Sequence, residues 1–228
     1  MRLPSWPAGW PSGPSRGERP DRPFTGYKLA HAALSADGVR AGFAGLTLGA
    51  SQVYGVTAEA SCVWNRRHAP PRRWCGCGFY CLHARGDALA LGCATENRSA
   101  LLLEVAAAGQ YIRYERGLRY SRQRVRAISA ASCGCGVPAG ALADAGSGLI
   151  GWRHLAPVCD RCAAGRQSLP LREFAARLDG PVRVDPGLAS TMPTSTAPAA
   201  TGESPFAVLA AEIALLHARL DDLQSRLG

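Results

Sequence analysis

Lysine is almost missing from this chain: Lys28 is the only one among 26 basic residues, so arginine carries the positive charge. Together with 26 glycines, 16 prolines and an excess of alanine, that bias resembles the product of a GC-rich coding sequence. The net charge of +9 is therefore a weak pointer to anionic partners until the arginines are seen to cluster. Large side chains are scarce too, Phe, Tyr and Trp making up 7% of the residues. Much of the apolar remainder is alanine, which buries little area. A core built this way is marginal, and tightly bound metal is a common remedy. Long hydrophobic runs are absent. Ala100 to Ala108 is apolar but too short to span a bilayer, and it carries Glu104, so no membrane insertion is expected. After Arg2, prolines and glycines stand where a signal peptide would have its apolar run. Also missing are an HExxH helix, a glycine-rich phosphate loop and an acid pair suited to hydrolysis. The zinc-deaminase pattern fails as well: Pro157-Val-Cys159-Asp-Arg-Cys162 has a residue too many before its first cysteine, and no His-x-Glu lies upstream.

Cysteine, by contrast, is plentiful. There are nine, an odd number, and two pairs are spaced Cys-x-Cys, a poor geometry for local disulfides. Reduced, metal-bound cysteine in a cytoplasmic protein is the economical expectation. The first set occupies Cys62-Val-Trp-Asn-Arg-Arg-His68-Ala-Pro-Pro-Arg-Arg-Trp-Cys75-Gly-Cys77-Gly-Phe-Tyr-Cys81, four cysteines and a histidine in twenty residues. Zinc takes about four thiolate or imidazole ligands in a tetrahedron, and Cys62, His68, Cys75 and Cys77 would supply them. Cys81, His83 and Cys93 are rivals for the place given to His68. Alternatively, Cys62 and Cys93 are small buried hydrophobes. The second set is Cys133-Gly-Cys135 and Cys159-Asp-Arg-Cys162, two ligand pairs 23 residues apart. It resembles a zinc ribbon over roughly residues 131–165, except that its first knuckle has one residue between the cysteines where ribbons usually have two. Two structural Zn2+ ions are expected. A pooled binuclear cluster or an iron–sulfur centre fits the spacing less well.

Along the chain, residues 1–22 are proline-rich and read as a disordered tail. Residues 23–130 read as a zinc-binding α+β domain. Its strands are expected at Phe24–Leu34, weakly at Val39–Leu48, and then as a meander over Leu101–Ala107, Gln110–Glu115 and Leu118–Ile128. The segment between Cys81 and Cys93 is helix or strand; periodicity does not decide over so few residues. Residues 131–180 hold the ribbon-like module and a short helix at Pro170–Leu178, with Ser168 as its cap. Residues 181–203 read as a linker. In residues 204–228, Phe206, Leu209, Ile213, Leu216, Leu220, Leu223 and Leu227 repeat at alternating spacings of three and four, the stripe of a coiled-coil helix. The expected fold class is thus α+β: a small zinc-stabilised body with an antiparallel strand meander, plus a C-terminal coiled-coil helix.

The arginines cluster in one place. Between Tyr111 and Arg126 six of them stand against one glutamate, with three tyrosines interleaved. Arg122, Arg124 and Arg126 alternate, so one face of a strand there would be basic. With Arg119 they are candidate phosphate contacts. The bland reading is a solvated strand face in an arginine-rich chain.

The assembly Cys62-x5-His68-Ala-Pro-Pro-x3-Cys75-Gly-Cys77-Gly-Phe-Tyr80, with Glu115-Arg-Gly117-x-Arg119 downstream, resembles a family of uncharacterised actinobacterial proteins over about residues 24–130. Such proteins carry a Cys-Gly-[Ile/Phe]-Tyr signature after paired ligands. The resemblance implies the metal site and no activity. The sequence therefore points first to a zinc-stabilised adaptor or regulatory protein acting through protein contacts, as a homo-oligomer or with another protein through residues 205–227. Second comes a nucleic-acid-binding protein using the basic 113–126 face, and third a zinc enzyme.

Overall fold

The computed structural model describes residues 22–46, 52–62, 68–93, 97–130 and 132–185. All of them fall in one compact unit, Met1–Met192. Its hub is β1 (Phe24–Ser35), whose alternate residues Ala30, Ala32 and Leu34 belong to the hydrophobic core. One edge of β1 pairs antiparallel with β6 (Ala100–Arg113), Phe24 opposite Ala107 and His31 opposite Ala100. Farther along, Ala32 to Ser35 pair with β9 (Trp152–Val158). β1 also pairs with β2 (Ala41–Ala44), which continues to β3 (Val53–Tyr54), and at Tyr27 with Leu82 of β5 (Phe79–Leu82).

β7 (Gly117–Ala130) is the second long strand, antiparallel to β6 along its length. It also pairs with β5 at Gly117–Tyr120, with β4 (Thr57–Glu59) at Arg122–Arg124, and in parallel with β11 (Arg183–Val184) at Ala127 and Ile128. The pairings β1–β6–β7–β5–β1 make a closed circuit, so this part of the sheet curls on itself as in a small barrel. Leu101, Leu103, Val105, Leu118, Tyr120 and Val125 fill the inside, with Phe43 and Phe174. β8 (Ala141–Leu149) and β9 form a hairpin, and β10 (Ser168–Pro170) adds to β8, so the segment after residue 131 belongs to the same eleven-stranded sheet.

The helices are minor: α1 (Arg85–Gly92), α2 (Asp160–Ala163) and α3 (Leu171–Ala176). α1 runs through Gly86, which settles the ambiguous segment as helix. Phe174 anchors α3 in the core; Ser168 lies in β10 and does not cap it. The strands expected at 101–107 and 110–115 are one, with a register irregularity between Ala108 and Tyr111, where the Gln110 N–H bonds Ser121 Oγ at 2.9 Å.

The expected fold class is therefore corrected. An α+β fold with an antiparallel sheet is present, but among the described residues the longest helix has eight residues, and no coiled-coil helix is part of the fold. The heptad stripe at 204–228 lies outside the described residues, as do residues 1–21 and 186–203. Among the described residues no helix is long and apolar enough to cross a membrane.

Candidate metal centres

β7 acts as the ruler for the first cluster. β4 and β5 pair with it at successive positions, so the chain leaving β4 and the chain entering β5 are held side by side. The Ala60 N–H continues the β4 ladder to Ser121 O at 2.7 Å, and Cys62 follows. Cys75 and Cys77 immediately precede β5, and His68 reaches in from the intervening loop. The ligand atoms of these four residues all lie within 4.8 Å of one another. Cys62 and Cys75 Sγ are 3.6 Å apart, and His68 Nε2 is 3.2 Å from Cys77 Sγ. The turn into β5 requires Gly78. Its φ is +118°, and a Cβ there would meet Arg119 Cγ at 3.0 Å and Tyr120 O at 3.2 Å.

The rivals for the histidine's place stand elsewhere. Cys81 is buried in the core, the His83 ring bonds Tyr114 O at 3.2 Å, and Cys93 is exposed at the end of α1.

Arg119 is the brace of this cluster. Its residue is only 5% exposed, and its guanidinium donates to the carbonyls of Cys75 and, at 3.0 Å, Arg72. Tyr80 and Tyr114 flank it, with ring centroids 5.8 and 5.9 Å from the guanidinium carbon. This corrects the reading of Arg119 as a phosphate contact. Strand alternation turns it away from the inner face, but the metal loop lies over it.

The second cluster hangs on a hairpin. β8 and β9 meet at Ala141 opposite Val158, so the residues just before β8 are carried to those just after β9. Cys133 and Cys135 sit in a tight turn closed by Gly136 N–H to Cys133 O at 2.8 Å and Cys133 N–H to Val137 O at 2.7 Å. Gly136 takes φ +86° there. Cys159 follows β9 directly and Cys162 lies on α2. The four sulfurs lie within 4.8 Å of one another, Cys135 and Cys159 at 3.5 Å.

The donor set fits zinc. None of the nine cysteines forms a disulfide. Sulfurs of a tetrahedron with bonds of about 2.3 Å stand roughly 3.8 Å apart, close to the separations in both clusters. The protons tell the same story. Backbone N–H groups of Cys135 and Cys159 pull the Cys133 thiol down to about 6. Hydrogen bonding to Cys135, Cys133 and Cys159 pushes Cys162 up to about 12. Burial raises Cys77 to about 11. Without a central cation the last protons stay on; a divalent ion supplies the charge that lets all four ligands of a cluster deprotonate.

Along β7, Arg122, Arg124 and Arg126 are exposed, while Gln123 and Val125 between them and Ala127 after them are buried. Arg122 pairs with Glu59 at 2.8 Å, and Arg126 donates to Thr25 Oγ1 at 3.5 Å.

Fold and clusters together define a metal-binding α+β domain: an antiparallel sheet with two four-ligand Cys/His groups, each able to chelate one ion. No family model, curated protein or solved structure matches the chain. The family resemblance is thereby corrected to its coarser content, a general Cys/His zinc-binding arrangement and not a particular actinobacterial family.

Proposed function

We propose that this protein is a zinc-stabilised, non-catalytic binding domain that engages nucleic acid along the outer face of β7. The observation that carries the reading is the row of Arg122, Arg124 and Arg126, all exposed on one strand whose intervening side chains are buried. Alternate residues of a strand recur about every 6.6 Å, so the row presents three guanidiniums along a line to which a phosphate backbone can lie parallel. The Arg122–Glu59 pair is exposed on both sides. Such pairs contribute little, and a phosphate can replace the carboxylate. The zinc ions are structural: each cluster fills four positions with protein ligands, leaving none for the substrate or water that a catalytic zinc holds. A cavity of about 450 Å³ opens beside Cys62 and His68, but Ala60, Ala69 and Pro70 line most of the rest. Among the described residues it offers no acid or base besides the ligands.

Binding of a fluorescent single-stranded oligonucleotide should weaken with salt by roughly 0.7 log units per contact and log unit of salt. In the R122Q/R124Q/R126Q variant that slope should fall by about two. Equal slopes for variant and parent, or no binding at low salt, would remove the reading. A protein partner is the second reading. It is favoured by Ile150, fully exposed at the β8–β9 turn, and Trp74, exposed on the first metal loop.

A further inference from the structure

The chain's single lysine points into its barrel. Lys28 has the same strand phase as Ala30, Ala32 and Leu34, all in the core. Its ammonium lies over the rings of Phe79 and Tyr54, 4.9 and 5.1 Å from their centroids, and reaches Gln123 Oε1 at 3.4 Å. The Tyr120 hydroxyl donates to the same oxygen at 3.0 Å. Lysine has only donors, so the oxygen of Gln123 must face it and the Nε2 group must point elsewhere. Gln123 is 2% exposed, and its Nε2 finds no partner; neither does the buried hydroxyl of Tyr54.

This cluster is therefore rich in donors and poor in acceptors. Lys28 has N–H groups beyond the one given to Gln123, and Tyr54 and Gln123 each hold an uncommitted donor. Among the described residues no carboxylate pairs with Lys28. The neighbouring acids do not supply the missing charge: burial raises the Cys81 thiol to about 11 and takes Tyr120 well above the usual phenol range, so both are neutral at pH 7. Buried donors left without acceptors are destabilising. Lys28 itself is half-buried, so the cluster is not wholly sealed within the core.

We propose that Lys28, Tyr54 and Gln123 form a binding site for a carboxylate group. A carboxylate is acceptor-only, and its two oxygens match the surplus donors. Its single charge matches the single ammonium, where a phosphate dianion would need a second cation. The carboxylate can belong to a small organic acid or to the C-terminus of a peptide. The site is independent of the β7 outer face, so it stands or falls apart from the nucleic-acid reading.

Because Lys28 is unique, zinc-loaded full-length protein labelled with 15N only at lysine has one side-chain ammonium signal. Acetate should shift that signal saturably, whereas acetamide and chloride at equal ionic strength should not. Tyr54→Phe keeps the ring beside Lys28 and removes one donor; it should weaken acetate binding roughly fivefold. A Gly-Gly-Gly peptide with a free C-terminus that shifts the signal, while its C-terminal amide does not, would identify the peptide source. Acetate binding without peptide binding would identify a small acid. A shift that never saturates, an equal shift with acetamide or chloride, or unchanged affinity in Tyr54→Phe would overturn the proposal.

Discussion

The two metal clusters have the same number of ligands but different supports. The first is assembled by tertiary structure: Cys62 arrives from β4, Cys75 and Cys77 precede β5, and all are positioned because both strands pair with β7. A buried arginine from β7 then holds the loop by its carbonyls. The second is assembled by a hairpin that brings its own two ends together, and its turn is closed by its own backbone. The difference implies an order of dependence. The second cluster needs only β8, β9 and the α2 turn that follows to form, whereas the first needs the barrel.

The largest effects should come from the ligands. Cys77→Ser and Cys159→Ser each remove one ligand, and each should release one zinc and destabilise the chain by more than about 4 kcal/mol. Their consequences should differ. Amide exchange in Cys159→Ser should rise mainly in β8, β9 and α2, and in Cys77→Ser across β4, β5 and β7 as well. Identical exchange patterns would break the contrast.

Arg119→Ala comes next. It leaves the Cys75 and Arg72 carbonyls without their donor and should cost about 3 kcal/mol. Zinc should leave the first cluster at a lower chelator concentration while the second holds its metal as before. Loss of both metals together would mean that the clusters are not separately supported.

The smallest effect separates the barrel from both clusters under acid. His31 is stacked on His154 with centroids 5.0 Å apart, and burial, then the charge of His154, lowers its pKa from 6.5. The folded chain thus resists protonating His31 more than the unfolded chain does. The stability this contributes is complete above about pH 6.5 and is lost as pH falls through the lowered folded value. His31→Gln should flatten the dependence of the melting temperature just below pH 6.5 and leave metal release unchanged. A parent chain whose melting temperature did not fall there would contradict this assignment.

The eight Cys and His positions that the fold gathers into two clusters were readable because metal chemistry favours particular residue types at local spacings. The basic alternation of Arg122, Arg124 and Arg126 was readable because a strand has a period of two. Barrel closure was not, since it depends on β5, a strand of four residues, finding both β7 and β1. Strands so short carry no periodicity. Arg119 was misread for a related reason: alternation turns it outward, and nothing local says that a loop bearing Cys75 will cover it. Nor does composition show that a lone lysine will face the core.

The central claim is that two separate four-ligand clusters each hold a structural zinc, and elemental analysis of protein purified without added metal tests it most directly. The account predicts about two zinc ions per chain, falling to one in Cys75→Ser and to one in Cys135→Ser. A parent chain with one metal or none, iron in place of zinc, or a single substitution that empties both clusters would contradict it.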